Sequence, residues 1–198
     1  MFRKSSATLL ILAALQASGG LQAQESPAPA ASVVASSSPV AAQLLDLRSE
    51  RAGLLRSIEL QESEISRLRP LGDRAALKSA VAERTRLRGS LRAVNTSIRL
   101  LNSVAQAGGV QSPSASFDGA VQSLRSDLEK SGAAFREAQR QLEQARAGGS
   151  EADIAKARRL VQNAALRLRV ATHAVEQLES RREQIVAVVE QYASGVPR

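Results

Sequence analysis

Apolar or small residues recur at alternating three- and four-residue spacing through two long stretches of the chain. The first stretch contains Leu44, Leu47, Leu54, Ile58, Ile65, Leu68, Leu77, Ala80, Leu87, Leu91, Val94, Ile98 and Leu101. The second repeats the pattern 77 residues later, as Val121, Leu124, Ser131, Phe135, Leu142, Ala145, Ile154, Ala157, Ala164, Leu168, Ala171, Val175 and Leu178. Such spacing is typical of the seam of a coiled coil or helical bundle. The fold class is therefore predicted to be all-α.

Prolines, glycines and capping residues divide these two stretches into four predicted helices, with Ser38, Asp73 and Ser150 as predicted N-terminal caps. Their ranges are about 39–69, 74–107, 117–147 and 151–192. Because the turns at Gly72 and Gly149 are tight, the helices that they join must lie antiparallel. We therefore predict two long antiparallel coiled-coil hairpins, either docked as an elongated four-helix bundle or splayed in an oligomer. Apolar residues outside the seams, such as Leu60 and Val104, favour docking on the other hairpin or on another subunit.

The offset of 77 residues has two explanations. A true duplication would produce it, but so would any two coiled coils in the same heptad phase, because 77 is a multiple of seven. Direct identities are few, and the best is 47–50 against 124–127. Both explanations remain open.

The N-terminal segment has the pattern of a secretory signal peptide. Arg3 and Lys4 precede the apolar run 7–15, and a small-residue cleavage site follows near Ala23. The chain has no cysteine, which excludes both disulfides and a lipid anchor on cysteine. We expect a periplasmic or secreted protein. The predicted organisation is a signal peptide at 1–23, a flexible Ser/Ala/Pro-rich tether at 24–38, a first helical hairpin at 39–109, a loop at 110–116, a second helical hairpin at 117–192 and a C-terminal tail at 193–198.

Positive charge is concentrated in the second predicted helix. Residues 67–99 contain nine basic and two acidic side chains, whereas the whole chain has a net charge of +8. The candidate residues for docking an anionic partner are Lys78, Arg86, Arg88, Arg92 and Arg99. That partner could be an anionic lipid or lipopolysaccharide surface or an acidic protein. Nucleic acid is unlikely because this stretch lacks aromatic residues for stacking. The alternative is an ordinary solvated face, partly neutralised by carboxylates of the first helix.

A polar layer is predicted within the first hairpin. An antiparallel register in which paired residue numbers sum to 145 places Ile65 on Ala80 and Gln61 on Arg84. A polar pair in an apolar seam can fix register at some cost in stability. Gln61 and Arg84 are therefore candidate register-setting residues.

Groups for catalysis or metal binding are scarce. The single histidine, His173, is predicted at an outward, solvated heptad position. No cysteine or second histidine could complete a zinc site with it. No cofactor is expected, and we predict that the protein is not an enzyme.

These features favour an exported coiled-coil structural or scaffolding protein that acts through protein–protein contacts, with other envelope proteins or with itself. In its small size, export, basic charge and helical arms the chain also resembles the Skp family of outer-membrane-protein chaperones, which implies a basic holdase as an alternative. No residue motif of that family matches, and its β-stranded core is not predicted. A third possibility is an accessory component of a secretion or conjugation apparatus.

Overall fold

The computed structural model describes residues 38–107 and 112–195, and these residues form helices without any β-strand. The predicted all-α fold is confirmed. The helices are α1 (Pro39–Leu71), α2 (Arg74–Gln106), α3 (Pro113–Gly148), α4 (Glu151–Glu179) and α5 (Arg182–Ala193). The predicted signal peptide lies outside the described residues, as does the predicted tether apart from Ser38.

The prediction of four helices was wrong, because the described residues contain five. The fourth predicted helix is interrupted at Ser180 and Arg181, where the Arg181 N–H donates to the Leu178 carbonyl in a tight turn. No proline or glycine marks this point. The interruption coincides with a tertiary contact, in which the Arg181 side chain pairs with Glu50 of α1.

Two other helix ends differ from the predicted ones. α3 begins at Pro113, a turn before Phe117, because Ser112 caps it and accepts a hydrogen bond from the Ala115 N–H. α1 also begins with a serine and a proline, Ser38 and Pro39, but the Ser38 side chain makes no capping hydrogen bond, so the serine cap predicted there is absent. α1 continues through Pro70 to Leu71, and Gly72, with a φ of 71°, terminates the helix. Residues 113–116, which were predicted to lie in the loop 110–116, belong to α3.

The capping chemistry read from the sequence is present at two other helix starts. Asp73 accepts a hydrogen bond from the Ala76 N–H at the start of α2. At the start of α4, Ser150 and Asp153 form a reciprocal capping box.

The helices pack in pairs. α1 packs against α2 and α3 against α4, while α2 and α4 lie side by side and join the two pairs. α5 makes smaller contacts with α1 and α3. This arrangement makes α2 and α4 the central helices.

The main apolar core contains residues of all five helices. Its members include Leu47, Val94, Leu101, Phe117, Leu124, Leu178 and Ile185. A second, small cluster contains only α1 and α2 residues, namely Ile65, Leu68 and Ala80. The five helices are thus held together at the end that carries α5, whereas the turn between α1 and α2 has a minor core of its own.

Candidate functional site

Three of the five residues of the predicted basic stripe form ion pairs with carboxylates at the protein surface. Arg86 pairs with Glu83 at 3.1 Å, and Arg88 pairs with Glu62 of α1 at 2.6 Å. Arg92 pairs with Asp127 of α3. Ion pairs of this kind leave little unbalanced charge for an external anion.

Lys78 and Arg99 complete the predicted stripe and form no ion pair in the described part of the chain. Arg99 donates to the Thr96 hydroxyl at 3.2 Å, near the C-terminal end of α2. Lys78 is exposed in the first turns of the same helix. The five residues therefore do not form one continuous cationic surface.

Arg92 occupies a position that the sequence placed on the outside of the first hairpin. Its side chain is instead only 36% exposed, because this side of α2 faces the second helix pair. The Arg92–Asp127 pair therefore joins α2 to α3. This ion pair is a contact between the two helix pairs.

A row of small residues forms the contact of α2 with α4. Thr85, Gly89, Ala93 and Ser97 recur every four residues, and all four are buried. A Cβ atom built at Gly89 would lie 2.7 Å from the His173 Cβ atom, so glycine allows the two helices their close approach. This second buried row was not identified from the sequence. Its regular four-residue spacing of small side chains was the available signal.

His173 lies over this contact, so the prediction of an outward, solvated histidine was wrong. Its side chain is 22% exposed. Its Nε2 atom lies 3.4 Å from the Ser90 hydroxyl, and its Nδ1 atom lies 3.3 Å from a Glu176 carboxylate oxygen. The imidazole therefore covers Gly89 and links α2 to α4.

A shallow groove of about 270 Å³ runs beside His173 between α2 and α4. Its lining includes Arg86, Arg169, Thr85 and Thr172. Both threonine hydroxyls donate to backbone carbonyls four residues earlier in their own helices. Those hydroxyl protons are therefore engaged within the helices.

The predicted polar layer is half-buried, as expected of seam positions. Gln61 and Arg84 are both partly exposed. The Arg84 Nε atom is buried and has no hydrogen-bond partner among the described residues. The register-setting role of the pair stays a prediction.

The turn between α1 and α2 carries three cations that form no ion pair in the described part of the chain, beside one carboxylate, Asp73, which caps α2. Arg69, Arg74 and Lys78 are exposed and form no ion pair among the described residues. Arg67, by contrast, donates two hydrogen bonds to Glu64, at 2.7 and 2.8 Å. These bonds lower the pKa of Glu64 and raise that of Arg67.

At the other end of the helix pairs, where α4 is followed by α5, ion pairs join residues that are far apart in sequence. Arg181 donates to both Glu50 oxygens, at 2.5 and 2.8 Å. Arg182 pairs with Asp118 at 3.1 Å, and its guanidinium lies 5.7 Å from the centre of the Phe117 ring. α5 is therefore tied to α1 and to α3 where it leaves α4.

The outer side of α1 carries large apolar side chains in solvent. Leu45 is 64% and Leu60 is 70% exposed. Both lie opposite the α1 residues that pack on α2, since they differ from the buried seam positions by about half a helical turn. The off-seam leucines of α1 are therefore not all covered when the helix pairs dock.

In 38–107 and 112–195, no three His, Cys, Asp or Glu side chains converge as metal ligands. None of the five described helices combines the length and the apolar character that crossing a membrane requires. Comparisons with protein-family models, with curated proteins and with solved structures found no match to this chain.

Proposed function

We propose that this protein is an exported helical scaffold that acts through protein–protein contacts in the cell envelope rather than through catalysis. The two helix pairs form the part of the protein that binds partners. The predicted tether is a flexible linker that extends the distance over which they can bind. The outer side of α1 is the proposed contact surface.

The observation that carries this proposal is the one-sided packing of α1. This helix has 33 residues and is therefore about 50 Å long. It packs on α2, with a smaller contact to α5. Its opposite side presents Leu45 and Leu60, which are 15 residues or about 22 Å apart along the helix.

Burial of these two leucines supplies a reason for association. Covering the exposed part of each leucine side chain is worth about 1–2 kcal/mol at roughly 25 cal/mol per Å² of apolar area. Between them lie the small residues Ser49, Ala52 and Gly53 and, on the same side of the helix, the charged residue Arg56. A Cβ atom at Gly53 would meet nothing within 4 Å. Another helix could therefore approach α1 closely at its middle, which makes a helical face the partner of best fit.

Site-specific photo-crosslinking in the host envelope tests the proposal. A photoreactive residue at position 45 or 60 should yield a discrete adduct, whose mass tells a second copy of this chain from another protein. The same residue at Glu129, an exposed position of α3, is the matched control. Adducts of equal yield at all three positions, or none at 45 and 60, would contradict a contact surface on α1.

A further inference from the structure

The two helix turns of this protein differ in charge although they occupy equivalent positions of the 77-residue pattern. Residues 67–78 contain four basic side chains and one acidic one, a net charge of +3. The equivalent residues 144–155 contain one basic and two acidic side chains, a net charge of −1. We call these segments the first tip and the second tip.

The cations of the first tip lie close to its outermost point. Arg69 is in the last turn of α1, and Arg74 is the first residue of α2. Lys78 follows four residues later, about 6 Å further along the helix. All three therefore lie within about one Debye length, 8 Å at physiological salt, of a surface that touches the tip.

The mid-helix arginines are too distant to contribute to such a contact. Arg86 is 12 residues from the start of α2 and hence about 18 Å from it. It is also paired with Glu83, as Arg88 is with Glu62. Charge available to an external anion is thus concentrated at the first tip rather than along the predicted stripe.

An exposed leucine lies at the outermost point of the same tip. Leu71 is 64% exposed and immediately precedes the turn at Gly72. The equivalent position of the second tip is Gly148. A turn between two antiparallel helices is convex, and a single projecting leucine on a convex surface offers little area to a protein partner, which needs roughly 800 Å². A bilayer interface accepts this shape, because headgroups surround the cations while the leucine enters the acyl boundary.

We propose that the first tip docks on an anionic phospholipid bilayer. Arg69, Arg74 and Lys78 bind the headgroup phosphates, and Leu71 inserts between the headgroups. The second tip, with its acidic capping box and no leucine, does not bind. This inference does not depend on the contact surface proposed for α1.

Vesicle flotation tests this proposal. The protein should float with vesicles of phosphatidylglycerol and phosphatidylcholine in equal parts, but much less with phosphatidylcholine alone. The triple variant Arg69→Gln/Arg74→Gln/Lys78→Gln should bind the anionic vesicles roughly a hundredfold more weakly, given the usual contribution of a basic residue at such a surface. Leu71→Ser should weaken binding about tenfold.

Matched variants separate the tip from net charge and from general apolarity. The triple variant Arg146→Gln/Lys156→Gln/Arg158→Gln removes the same charge from exposed positions at and beside the second tip. Leu160→Ser removes an exposed leucine of α4 that belongs neither to the first tip nor to the contact surface proposed for α1. Both should change vesicle binding less than about threefold, since these positions lie away from the contact. All variants keep the same N-terminal segment, so any difference between them reports on the substituted positions.

Three outcomes would overturn the proposal. One is an equal loss of vesicle binding in the two triple variants, which would make net charge the cause. Another is the absence of any preference for anionic vesicles. The third is binding to polyglutamate in solution without any binding to vesicles, which would identify an acidic protein as the partner.

Discussion

Replacing Gly89 with alanine tests whether the small-residue row of α2 sets the distance between the two helix pairs. The new Cβ atom would lie 2.7 Å from the His173 Cβ atom and 3.1 Å from the Val170 carbonyl oxygen. Ordinary carbon–carbon contacts are about 3.5–4.0 Å. Neither obstacle can rotate away, because one is backbone and the other is attached directly to it. The substitution must therefore displace α4 from α2.

The expected change in the free energy of unfolding is the sum of two opposing effects. Alanine improves on glycine inside a helix by about 1 kcal/mol. Overpacking of a closely fitted contact costs about 1–3 kcal/mol. Gly53→Ala in α1 is the matched control, since a Cβ atom there meets nothing within 4 Å. Gly53→Ala should stabilise by up to about 1 kcal/mol, so that Gly89→Ala is less stable than this control by about 1–3 kcal/mol.

Urea unfolding followed by far-UV circular dichroism measures this difference. Adding His173→Gly, which removes the clashing Cβ atom and ring, should restore part of the loss in a double-mutant cycle. Equal stabilisation by Gly89→Ala and Gly53→Ala would refute the close approach of α2 and α4 at Gly89.

Three further substitutions test the packing, the ion pair at α5 and the capping box. Leu178→Ala in the core should cost about 2–5 kcal/mol in urea unfolding, whereas Leu60→Ala should change stability by less than about 0.5 kcal/mol; similar effects would contradict the assigned burial. A double-mutant cycle of Arg181→Ala and Glu50→Ala should give a coupling energy of about 1 kcal/mol, because the Arg181 side chain is only 19% exposed and binds both carboxylate oxygens; no measurable coupling would contradict a stabilising contact between α1 and the turn before α5. Hydrogen bonds from Ser150 lower the pKa of Asp153 below its ordinary value of 3.8, so the stability that Asp153 adds is present above that pH and is lost as the pH falls through the lowered pKa. The stability difference between the wild type and Asp153→Asn should therefore narrow in acid, and a difference that widens would contradict the capping box.

Much of the fold could be predicted because heptad spacing indicates which side of a helix packs on the next helix along the chain. The predicted seam residues of α1 and α2 are all buried or half-buried in the structure. This seam lies between two helices that are joined by a short turn, so the heptad spacing and the position of the turn together define which residues meet. The capping residues Asp73 and Ser150 act locally and were predicted for the same reason.

The features that were missed depend on contacts between residues far apart in sequence. The break before α5 has no local helix breaker, and it coincides with the pairing of Arg181 with Glu50 across 131 positions. Arg92 and His173 looked solvated because the hairpins were considered separately, and docking of the pairs covers both. Charge density along the chain likewise identified the basic region, but only the ion pairs in three dimensions show which cations remain unbalanced.

The central claim is that this helical array works as a scaffold through the outer side of α1. Sedimentation velocity of the protein in native envelope extracts tests it most directly, with the wild type compared with Leu45→Ser/Leu60→Ser. Both leucines are exposed, so the variant should fold as the wild type does. We predict that the wild type sediments as a complex larger than a single chain and that the variant sediments as a monomer. Identical sedimentation of the two proteins would contradict it.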